Sequence, residues 1–445
     1  MFKTLKELSK YTKKHRWLAV LGAMATLLFA AFALVDPHIT GQLIDHLLQG
    51  KESIYILRGL AIIMVVTIFR TLLRYVFFMS FEQYSQEIVY ELRLDLYRKL
   101  QSLDFTFFDK TANGKIMSKM TGDVDAIRHF YAWITHVTIF HGSIFCFALI
   151  SMFLLNPILT LLMLLIIPFI LMLSLGLSKS VKPSFVKIRE QFTKLNSVVQ
   201  ENISGNRVVR AFAREPYEIE KFEKENQAYM DRNIDSSNVW RKYLPPLDAF
   251  AVLFNVVVIL VGGIFVVQEK MTIGELVAFD RLLWMINNPL RMLGWMINGT
   301  QNFVASYEKV KEMMDEESTI HEKNKAVRRE RIKGNIRFDK VSFHYEDLPV
   351  LRNISFEVKS GQTLAILGAT GSGKSTLISL LSRFYDVSEG KIYIDNLPIE
   401  EYDLQSLRSN ISLAMQDIFL FSDTIESNIA YGNPNIPKEQ IEKAS

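Results

Sequence analysis

The chain has 445 residues, of which 51 are Lys or Arg and 47 Asp or Glu, giving a formal charge of +4; it is 49% hydrophobic, with 31 Phe and a single Cys. That length admits two or three domains. The small net charge, with no basic stripe interleaved with aromatics, argues against nucleic-acid binding, and lone Cys146 excludes an intrachain disulfide framework. The apolar residues are crowded into the first two thirds of the chain, so the average hides two unlike regions.

Lys3, Lys6, Lys10, Lys13, Lys14 and Arg16 precede an apolar run over 17–35. The run is too long for a signal-peptide core and lacks a small-residue cleavage site, so it reads as a first membrane helix. At about 1.5 Å of rise per residue, roughly 20 apolar residues cross a bilayer. Six segments meet that length, near 17–35, 59–80, 133–155, 157–178, 247–267 and 275–297. The Asn156-Pro157 pair marks a tight turn between the third and fourth, since proline ends one helix and starts the next well. Asp280 falls inside the sixth segment, where a carboxylate needs water or a partner.

Loop charge sets the orientation. The basic N-terminal arm and the stretches 91–128 and 179–242 carry most of the Lys and Arg, which places them, and both termini, in the cytoplasm. These inward stretches lack Gly/Pro/Ser-rich runs and keep helical spacing, as in Leu92, Leu96, Leu100 and Leu103. That spacing fits membrane helices continuing into the cytoplasm, and equally fits solvated helical hairpins.

The organisation expected is a membrane region over 1–317, a charged linker over 318–333 and a soluble domain over 334–445. In the last, 336–338, 341–343, 354–358 and 364–367 read as short strands. The final one runs into Gly368-Ala369-Thr370-Gly371-Ser372-Gly373-Lys374-Ser375-Thr376, then into a helical pattern with Leu377, Leu380 and Leu381. This is G-x-x-x-x-G-K-S between strand and helix. The glycines let successive backbone N–H groups turn toward one anion, and the helix adds its positive end. Lys374 is placed to reach the β- and γ-phosphates of ATP, Ser375 to ligate Mg2+ and Thr376 to add a phosphate contact. The pattern alone leaves transporter, kinase and GTPase open.

Neighbouring residues decide between them. The stretch 334–431 resembles the ATP-binding domain of ABC transporters. Tyr345, in VSFHYED, matches the aromatic that stacks on adenine in that family, and Gln416, in SLAMQDIFLFSDTIESNIAYG, matches its Q-loop glutamine, which helps hold magnesium. LDFTFFDKTANGKIMSKMTGDVDAI and VQENISGNRVVRAFARE resemble the two intracellular loops of the exporter type. The resemblance implies coupling helices near 107–114 and 203–214 that dock on ATP-binding domains. It also implies an α-helical membrane domain of six transmembrane helices joined to a partial α/β P-loop NTPase domain, as in bacterial multidrug and lipid exporters.

The sequence departs from that pattern after Gln416: no LSGGQ-type signature, Walker B strand or switch histidine follows within the 445 residues. The resemblance therefore implies a truncated half-transporter that is unable to hydrolyse ATP alone, in a bacterial plasma membrane, with a second ABC half-transporter as partner. The alternative is a non-catalytic subunit paired with an intact half. The cargo, whether drug, lipid or peptide, is left open.

Overall fold

A computed structural model describes residues 2–50, 52–322, 326–346, 348–416, 418–433 and 435–444, apart from the side chains of Phe2, Ser178, Lys182 and Ala251. Residues 323–325 of the expected linker lie outside the described residues. The chain divides into two compact units, the first made of Met1–Leu96 and Ser118–Met313, the second of Tyr97–Met117 and Met314–Ser445.

The first unit is built from long helices. Among the described residues, five are long and apolar enough to cross a membrane: Arg16–Leu48, Ser53–Ser102, Asn113–Leu155, Pro157–Ser204 and Glu215–Val267. The second has 50 residues, hence a length of about 75 Å, far more than a bilayer needs. Only 11% of its most apolar window is buried, so Leu57, Leu60, Met64, Val65, Ile68 and Leu72 face outward. A continuous outward apolar face of this kind is unfavourable in water and costs nothing in hydrocarbon. The helix Ile273–Asp315, which holds the expected sixth segment, is not among the five. Glu275, Asp280, Arg281 and Arg291, with Asn287 and Asn288, dilute its hydropathy.

Sequence-level punctuation is visible in these helices. Asn156 adopts an extended backbone, and its side chain accepts the Leu159 amide at 3.0 Å, so Asn156-Pro157 ends one helix and caps the next. Near Ala33 and Leu34 the first span is interrupted by a turn just before Pro37, which has no N–H to return to Ala33. The core packs Met152, Leu159, Met163 and Ile167 against Phe254, Val258, Phe279, Leu282 and Ile286. At one end, Lys119 pairs with Glu312 at 2.7 Å, while Asp123 accepts from Ser306 at 2.9 Å and Lys309 at 3.1 Å. Lys119 and Asp123 bound a π-helical turn, Lys119–Asp123, whose wider helix aims both toward the same partner.

The second unit carries a four-stranded antiparallel sheet in the order β2-β1-β3-β4, with β1 Ile336–Tyr345, β2 Leu348–Val358, β3 Glu389–Ile394 and β4 Leu397–Pro398. The two strands expected over 336–338 and 341–343 are one strand, because Lys340 at φ +49° absorbs a register shift between Phe338 and Val341. Phe338, Val341, Phe343, Leu351, Ile392 and Ile394 form its core with Leu377, Leu380, Tyr402 and Leu407. The strand expected over 364–367 is absent: the segment is irregular and exposed, with Leu367 93% accessible. A strand needs a hydrogen-bonding neighbour, and none of the four strands pairs with it.

Candidate nucleotide site

The site begins where β2 ends. Gly361, at φ +80°, turns the chain, with the Gln362 amide donating to Lys359 O at 3.0 Å. The backbone then runs to Gly368 and closes a loop in which the Ser372 amide donates to Ala369 O at 3.2 Å. Gly371 and Gly373 both lie in the left-handed region, at φ +82° and +88°. Gly373 has a second requirement: a Cβ there would sit 2.7 Å from Leu351 Cδ2. The helix Lys374–Leu381 starts directly from it and seats Leu377 and Leu380 in the core beneath the sheet, which fixes the loop's far end.

Lys374 bends back over this loop, its Nζ donating to Gly368 O at 3.0 Å and Ala369 O at 2.8 Å. The ammonium therefore sits over the cradle formed by residues 368–373, while Ser375 is exposed at the start of the helix. The donor set fits a polyphosphate: consecutive amides, a helix N-terminus, one cation and one free-facing hydroxyl.

Tyr345 ends β1 and approaches the same helix, its hydroxyl 3.5 Å from Thr376 Oγ1. It stands edge to face with Phe343, with ring centroids 4.8 Å apart, and with Tyr385 at 5.2 Å. These three rings line a cavity of about 1010 Å³ together with Thr106, Asp109 and Lys110. Gln416 lies in an exposed irregular segment, and among the described residues no hydrogen bond or ring contact joins it to the loop. The structure thus brings Tyr345 and Thr376 together.

No local pattern in the sequence singles out Tyr385 or Asp109, which lie in the strings RFYD and FFDK. Asp109 belongs to the short helix Phe105–Lys110, within the expected coupling segment and in the same compact unit as the sheet. Its carboxylate accepts the Tyr385 hydroxyl at 2.6 Å, and Phe105 packs on Phe384 with ring centroids 4.5 Å apart. Burial, then the Asp109 hydrogen bond and charge, push the Tyr385 phenol well above its usual range, so it stays a donor.

Residues 19–290 match the ABC transporter transmembrane region family and residues 351–445 the ABC transporter family. The chain belongs to the ABC transporter family. It is 35% identical over 449 residues to the uncharacterized ABC transporter ATP-binding protein YknU of Bacillus subtilis, covering 99% of this chain and 76% of that protein. It is 31% identical to the multidrug resistance-like ATP-binding protein MdlA of Escherichia coli, over 98% of this chain and 74% of the relative. A further relative, the ATP-dependent lipid A-core flippase of Pseudomonas aeruginosa, is 33% identical over 81% of this chain and 60% of its own length. The chain is an integral, multi-pass membrane protein of the exporter-type half-transporter class, with a helical membrane domain and an ATP-binding domain.

Proposed function

We propose that the chain is one half of a dimeric, ATP-driven exporter, with both termini in the cytoplasm of a bacterial plasma membrane. Ile273–Asp315 then supplies the sixth crossing. The membrane region is 1–317, the linker 318–333 and the ATP-binding domain 334–445. The observation that carries the reading is Lys374 lying over Gly368 O and Ala369 O, in a loop where left-handed Gly373 is closed in by Leu351 and Val350. The relatives' printed roles, multidrug resistance and lipid A-core flipping, make an amphipathic drug or lipid the favoured cargo class.

In this reading the loop Gly368, Ala369, Thr370, Gly371, Ser372 and Gly373 wraps the phosphates of ATP, and Lys374 neutralises the β- and γ-phosphate charge. Ser375 and Gln416 hold Mg2+, Thr376 adds a phosphate contact, and Tyr345 stacks on adenine. The 445 residues contain no LSGGQ-type sequence, so by themselves they hold nucleotide without turning it over. Phosphoryl transfer needs positioned water and charge around the γ-phosphate, which a phosphate loop alone does not supply.

Purified in lipid, the 445-residue chain is expected to bind ATP in a magnesium-dependent way that Lys374→Ala removes, with no ATPase activity above that variant. ATP binding that survives Lys374→Ala would refute the assignment of the loop. Lys374-dependent hydrolysis by the chain alone would refute the claim that it cannot turn ATP over.

A further inference from the structure

Tyr345 ends a strand, beside Glu346 at φ +50°, in an exposed loop. A half-buried aromatic there has more than one rotamer open to it unless neighbours fix the ring. Two neighbours do. Phe343 meets it at an interplanar angle of 88° and Tyr385 at 89°, while Tyr385 also lies 5.6 Å from Phe343. Phe343 is buried in the sheet core whereas Tyr385 is half-buried, so Tyr385 is the more adjustable contact.

We propose that Tyr385 positions the Tyr345 ring for the nucleobase, and that Asp109 sets that position by accepting the Tyr385 hydroxyl. The inference rests on the reading of Tyr345 as the adenine platform. A hydrogen bond from a neutral hydroxyl to a carboxylate is short and directional, as the 2.6 Å separation shows, so it fixes where the phenol ring can point. The same short helix also meets the residue that follows the platform, through Lys110, whose Nζ is 3.5 Å from the Glu346 carboxylate. That pair is exposed and contributes little energy. Its value is as a second contact between this helix and the end of the strand that carries Tyr345.

The consequence is reciprocal. If base stacking is tighter when the Asp109–Tyr385 bond is made, then the bond is more fully made when the base is bound, by the same factor. Base occupancy and the seating of the Phe105–Lys110 helix become one equilibrium.

The test measures binding of Mg-ATP and of Mg-tripolyphosphate, which has no base, to the full chain in lipid nanodiscs. Tyr385→Phe and Asp109→Asn should each weaken ATP about fivefold, the lower end of ordinary coupling between sites, and leave tripolyphosphate unchanged. Neither should add to the loss caused by Tyr345→Ala. Equal weakening of both ligands would mean that these residues only hold the fold, and no weakening of either would mean that the ring needs no positioning; both results overturn the inference. If Tyr345→Ala binds ATP as the parent does, the platform reading fails, and this inference fails with it. If Tyr345→Ala is base-selective and Tyr385→Phe is silent, only the inference fails.

Discussion

The Asp45 carboxylate accepts the Gly274 amide at 2.8 Å and, through its other oxygen, the Thr272 hydroxyl at 2.7 Å, so a residue of the first span caps the start of Ile273–Asp315. Capping is possible because Gly41 and Gly274 pass backbone to backbone: a Cβ on Gly274 would lie 2.0 Å from Gly41 O. Asp45→Ala should cost about 1 kcal/mol, as for a lost helix cap. Gly274→Ala should cost more, because the intruding atom meets backbone that cannot swing away. Thermal unfolding in detergent should therefore rank parent, Asp45→Ala, then Gly274→Ala, and a Gly274→Ala midpoint equal to the parent's would show that the two helices are not in contact.

Asp104 plays a similar part in the second unit. One oxygen accepts from the Thr319 amide, from Thr319 Oγ1 at 2.7 Å, from Ser318 Oγ at 3.0 Å and from the Ile320 amide at 3.3 Å; the other caps the Phe105–Lys110 helix through the Phe107 amide at 3.3 Å. Burial works to raise its pKa, but these donors outweigh burial and hold it below the usual carboxylate range. A depressed carboxylate stabilises the fold above its unfolded pKa, about 3.9, and that stability is lost as pH falls through the folded value. Asp104→Asn should destabilise by about 1–3 kcal/mol at pH 7, the scale of hydrogen bonds to a charged group left unmade. The gap between the two melting curves should narrow below pH 4. A gap independent of pH would mean that shape rather than charge matters at this position.

The phosphate loop separates two roles of glycine. Gly371 and Gly373 are both left-handed, but a Cβ on Gly371 meets nothing within 4 Å, whereas one on Gly373 meets Leu351 and Val350. Gly371→Ala should carry only the torsional cost, about 1–2 kcal/mol. Gly373→Ala adds a collision with the core and should displace the start of the Lys374 helix. ATP affinity should fall for both and further for Gly373→Ala, which alone should also lower the unfolding midpoint beyond the torsional cost. Equal effects would show that the helix start can shift away from Leu351.

What the sequence made legible were features carried by short strings. Five apolar runs, the Asn156-Pro157 turn and the glycine-rich loop over which Lys374 bends each depend on residues within a few positions of one another. What it hid depends on distance or on partners. Asp109 and Tyr385 are 276 positions apart, and Asp104 and Thr319 are 215 apart, so no local pattern joins them. Residues 364–367 have a strand's apolar content but no strand beside them, and composition cannot report a missing neighbour. Lys340 has an ordinary residue type at a left-handed bulge, which is why one strand reads as two.

Membrane orientation gives the last prediction. The basic stretches 91–128 and 179–242 put those loops inside, and the short link after Val267 outside. The structure guides the choice of probe positions. Asp123 is buried against Ser306 and Lys309, so a cysteine there would be shielded on either face and would report nothing. Glu269 is left-handed at φ +58°, which a cysteine would strain, whereas neighbouring Lys270 is exposed. Glu220, also exposed, serves for the inner side. The native Cys146 is exposed and must first become Ser, since an outward thiol in a span would blur the signal. In intact cells a membrane-impermeant maleimide should then label Lys270→Cys and leave Glu220→Cys unreacted until the membrane is opened. The opposite pattern would invert the topology and place the phosphate loop on the side without ATP, which would end the exporter reading. Labelling of both sites in intact cells would instead put them on one face and remove the single crossing between them, Glu215–Val267, as a span.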